Sequence, residues 1–79
     1  MEREREREVL IIELEECDKR INSLKERIRC ILNDINLFNS GHNNDLYYKY
    51  NTVRIKLIAE EKRYIRLLDD LRDTIHKSL

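Results

Sequence analysis

Two cysteines, two histidines and three carboxylate doublets are the side chains of this chain best suited to chemistry. Thiolates and imidazoles at short spacing hold metals, a thiol beside an imidazole is a nucleophile, and two carboxylates on one face can divide acid and base roles. The spacing here favours none of these. Placed on one helix, Cys17 and Cys30 stand about 20 Å apart along its axis, too far for a bridge within the chain. Free thiols fit a reducing compartment, with Cys17 as a small buried apolar residue and Cys30 nearer the surface. His42 falls in a turn and His76 near the C-terminus, so a hairpin separates them end from end. The doublets Glu15-Glu16, Glu60-Glu61 and Asp69-Asp70 are neighbours on helices and point to different faces. With no Gly-rich phosphate loop and no nucleophile motif, a non-enzymatic chain without catalytic residues, metal or cofactor is expected.

Charge layout carries more information than any motif. The whole chain is neutral, with 16 Lys and Arg against 16 Asp and Glu, which argues against a surface given over to nucleic acid. The distribution is uneven. Residues 19–29 hold Lys19, Arg20, Lys25, Arg27 and Arg29 against Glu26, and residues 54–66 hold Arg54, Lys56, Lys62, Arg63 and Arg66 against Glu60 and Glu61. Residues 2–18 reverse this, with eight acids against three bases. Either the acidic end of one hairpin lies along the basic middle of another copy, or the basic patch of Arg20, Lys25, Arg27, Lys62, Arg63 and Arg66 meets RNA or an anionic lipid surface. The first is preferred, because aromatic rings are not interleaved with the basic side chains.

These residues are positioned by two helices. Leu10, Leu14, Cys17, Ile21, Leu24, Ile28, Ile31, Ile35 and Phe38 recur at alternating steps of four and three, a heptad seam held for about four heptads. With one Gly and no Pro, little in the chain interrupts a helix. The cluster from Asn39 to Asp45 is the turn, with Gly41 suited to a left-handed residue past the helix end and Asn43, Asn44 or Asp45 suited to capping the next helix. The expected architecture is all-α, one domain over residues 1–79: helix 1 over about 3–39, a turn at about 40–44, and helix 2 over about 45–77, antiparallel and coiled-coil-like.

On helix 2 the facing stripe is read as Tyr47, Tyr50, Leu57, Tyr64, Leu68, Leu71 and Ile75, a phase that also places Arg54 and Glu61 in the seam with Glu60 near. If residue i faces roughly 84 minus i, Glu60 and Glu61 lie opposite Leu24 and near Arg20 and Arg27, and interhelical ion pairs are expected there to fix register. The extra apolar positions Ile11, Ile12, Leu32, Ile58 and Ile65 widen the stripe beyond what two helices bury, so a second contact is expected. Phe38, Tyr47 and Tyr50 are read as an aromatic core closing the turn end, with Tyr48 free for an interface.

The sequence therefore points to a helical hairpin that assembles with a second copy or a related helical subunit, as a dimeric four-helix bundle or an end-overlapped antiparallel dimer. Its expected role is oligomerisation or scaffolding, with no membrane span and an intracellular, by default cytoplasmic, location. Small antiparallel modules that bind Rho-type GTPases are similar in size and outline, with a turn Gly and late aliphatics such as Leu68, Leu71 and Ile75. That similarity implies a hairpin presenting a helical face to a small GTPase or another folded partner.

Overall fold

A computed structural model describes residues 2–37 and 44–77 of the chain. Two helices pack against each other as a hairpin, and no strand occurs among the described residues. α1 spans Glu2–Leu37 and α2 spans Asn44–Lys77. Neither contains Gly or Pro, and both are rich in Leu, Ile, Glu, Lys and Arg, which lose little in a helix. In α2, Asp45 in the first turn and His76 and Lys77 in the last complement the helix dipole. Phe38, read as the end of the seam, and Asn39, Ser40, Gly41, His42 and Asn43 of the expected turn lie outside the described residues.

The helices run antiparallel. Cys17 and Arg20 meet Glu60, Ile31 shares a groove with Tyr48 and Val53, and Glu13 shares another with Leu67 and Asp70, so numbers fall along α2 as they rise along α1. The result is a rod of 59 × 14 × 14 Å. Its buried core is Leu14, Cys17 and Ile21 of α1 with Val53 and Leu67 of α2. Leu10, Leu57, Tyr64 and Leu71 pack against the Leu14–Leu67 part of that core.

On α1 the half-buried Leu24, Ile28, Ile31 and Ile35 continue the seam at the expected steps. On α2 the phase differs from the expected one. The side chains turned inward are Leu46, Tyr50, Val53, Leu57, Glu60, Tyr64, Leu67, Leu71 and Thr74, again at alternating steps of four and three. Tyr47, Leu68 and Ile75 instead belong to the exposed set at 53%, 42% and 40%, as do Arg54 and Glu61. The physical reason is electrostatic. The expected phase carries two charged residues into the seam, whereas this one carries only Glu60 and supplies it with donors. Thr74 fits because its hydroxyl donates to the Asp70 carbonyl at 2.9 Å, leaving no unmet donor.

Candidate functional site

Near its middle the seam holds one charged residue, Glu60. Cys17 is fully buried, and its Sγ donates to Glu60 Oε2 at 3.2 Å and to the Glu60 carbonyl at 3.3 Å. From the flank of α1, Arg20 Nε donates to Glu60 Oε1 at 3.1 Å. Both carboxylate oxygens thus have a donor, which is what lets an acid sit in a seam position. Burial first, then the bond to Glu60, pushes the Cys17 thiol above its ordinary value, so it stays protonated and is a poor nucleophile. The thiol hydrogen bond, followed by Arg20, holds the Glu60 carboxyl below the usual range. The contact joins α1 to α2 at a single level of the seam.

The expected ion pairs are met in part. Arg20 and Glu60 pair, while Arg27 and Glu61 are exposed and form no ion pair among the described residues. The register explains this, since Glu60 lies at the level of Cys17 and Arg20 rather than opposite Leu24, and Glu61 turns outward. Two further ion pairs are local and exposed, Arg29 with Glu26 at 2.6 Å and Arg72 with Asp69 at 3.5 Å. Such exposed pairs add little to stability.

Not all of the basic side chains share one face of the hairpin. Lys62, Arg63 and Arg66 line a shallow groove, but Glu13 and Asp70 line the same groove. Arg27 borders a second groove with Cys30, Tyr48, Lys49 and Lys56. Arg20 is occupied with Glu60. Lys25 stands on the opposite flank, as the heptad places it one step past the seam residue Leu24, on the side away from Arg20 and Arg27.

The residues expected to bury a second contact are exposed in the hairpin: Ile11 at 42%, Ile12 at 53%, Leu32 at 43%, Ile58 at 43% and Ile65 at 59%. Tyr48 and Ile55 on the back of α2 are more exposed still. Among the described residues no group of His, Cys, Asp or Glu could hold a metal ion, and no helix is long and apolar enough to cross a membrane. Sequence reasoning missed the pairing of Cys17 with Glu60. Its signal was present, because a small polarisable residue in one seam leaves room for an acid in the other. No protein-family model matches the chain, and no curated protein or solved structure matches it either.

Proposed function

We propose that this hairpin is a non-enzymatic coiled-coil module for oligomerisation or scaffolding inside the cell, by default in the cytoplasm. Its partner is a second copy or a related helical subunit. The observation that carries this reading is the mismatch between core and surface: among the described residues, five buried hydrophobic side chains stand against twelve large exposed ones. A single core in a chain of this size rarely supplies more than about 3–5 kcal/mol, and oligomerisation is a common remedy. Exposed apolar side chains on both helices give a partner something to bury.

Mass action tests the reading. The melting temperature followed by circular dichroism is expected to rise with protein concentration. A melting temperature unchanged across the series contradicts it. The polyanion alternative draws support from Lys62, Arg63 and Arg66, but the acids of the same groove offset them. Under that alternative Lys62→Glu, Arg63→Glu and Arg66→Glu together abolish salt-sensitive binding to RNA or anionic vesicles. Under the assembly reading the same triple change leaves the concentration dependence in place.

A further inference from the structure

One flank of the hairpin is ordered in layers. The grooves bring Glu13 together with Arg63 and Asp70, and Arg27 together with Lys49 and Lys56, so these positions of the two helices share a flank. The residues one step past the inward-facing ones then share the other flank. From the Cys17–Glu60 contact, heptad steps along both helices give four layers there: Ile11 with Leu68, Asp18 with Glu61, Lys25 with Arg54, and Leu32 with Tyr47. The order is apolar, acidic, basic, apolar, with successive layers about 10 Å apart. All eight side chains are exposed, and the four charged ones take part in no ion pair among the described residues. Like charges therefore face each other across the hairpin in both middle layers.

Building on the assembly reading, we infer that a second copy of the chain docks antiparallel on this flank, about a two-fold axis passing between the acidic and the basic layer. That axis exchanges the two apolar layers and sets acid on base: Asp18 against the partner's Lys25, and Glu61 against the partner's Arg54. A parallel dimer on the same flank would stack acid on acid and base on base, which charge forbids. In the antiparallel arrangement α1 lies along its own copy and α2 along its own, so all neighbouring helices of the four are antiparallel. Ile58, exposed beside this flank and close to the level of the axis, meets its own mate. A rod of these dimensions offers on the order of 800 Å² per flank, about what one partner contributes to a stable interface.

The test is sedimentation equilibrium on the full chain and two charge variants, with helicity followed alongside. Asp18→Lys with Glu61→Lys is expected to weaken dimerisation by at least about tenfold. Adding Lys25→Glu and Arg54→Glu reverses both charged layers and is expected to restore it. Unchanged dimerisation of the first variant overturns the docking face while leaving self-association standing, whereas a wild-type chain that is monomeric throughout removes both. A reversed chain that stays weak overturns the layer register. A cross-link provides a readout independent of charge: Ile58→Cys in a Cys30→Ser chain should oxidise to a disulfide dimer, and a dimer that fails to cross-link overturns the antiparallel axis.

Discussion

A thiol hydrogen-bonded to a carboxylate inside an apolar seam makes Cys17 and Glu60 each depend on the other's protonation state. The Glu60 carboxyl is held below its ordinary 4.5, so its contribution is complete above that value and is lost as the pH falls through the lower folded value. The Cys17 thiol is raised above its ordinary 9.0, so its contribution is complete below that value and is lost as the pH rises through the higher folded value. Melting temperature against pH is therefore expected to form a plateau with an acid and an alkaline fall, the alkaline fall disappearing in Cys17→Ala. A Cys17→Ala profile with the same alkaline fall would place its origin elsewhere. Thiol titration gives a second check: Cys30 is exposed and should react quickly, Cys17 only on unfolding. Glu60→Leu should raise the melting temperature, since an apolar seam residue avoids the desolvation of an acid, while losing the uniqueness of the register. Equal or lower stability would mean that the polar contact itself stabilises the pair.

The two helices differ in how far their sequences disclosed them. In α1 one phase alone gathers the apolar residues, because Leu14, Cys17, Ile21 and Leu24 are bordered by charged and polar side chains; the expected seam is the buried one. In α2 the adjacent pairs Leu46-Tyr47 and Leu67-Leu68 let two phases share Tyr50, Leu57, Tyr64 and Leu71, and apolar content does not choose between them. Charge does choose, since one phase admits Glu60 alone and the other both Arg54 and Glu61. Neighbouring substitutions read this phase directly. Leu67→Ala is expected to cost about 2–4 kcal/mol in chemical denaturation, as a buried leucine does, and Leu68→Ala well under half of that in the hairpin itself. The reverse ranking would place Leu68 in the seam.

At the scale of the whole molecule, the hairpin followed from two long heptad patterns separated by one cluster of turn formers, a signal strong enough to fix the topology. The docking flank was less legible. Ile11 and Leu32 stood out as surplus apolar positions, but their grouping into layers with Asp18, Lys25, Arg54 and Glu61 needs the interhelical register, which the Cys17–Glu60 contact sets. A slip of one residue in α2 moves Arg54 and Glu61 to another face. Self-association is tested most directly by the absolute mass in solution, from light scattering behind a sizing column, over a concentration series and at low and high salt. A species at twice the 9.7 kDa chain mass is expected, weakened by salt because acidic layers rest on basic ones. A mass that stays at that of one chain at every concentration would contradict it.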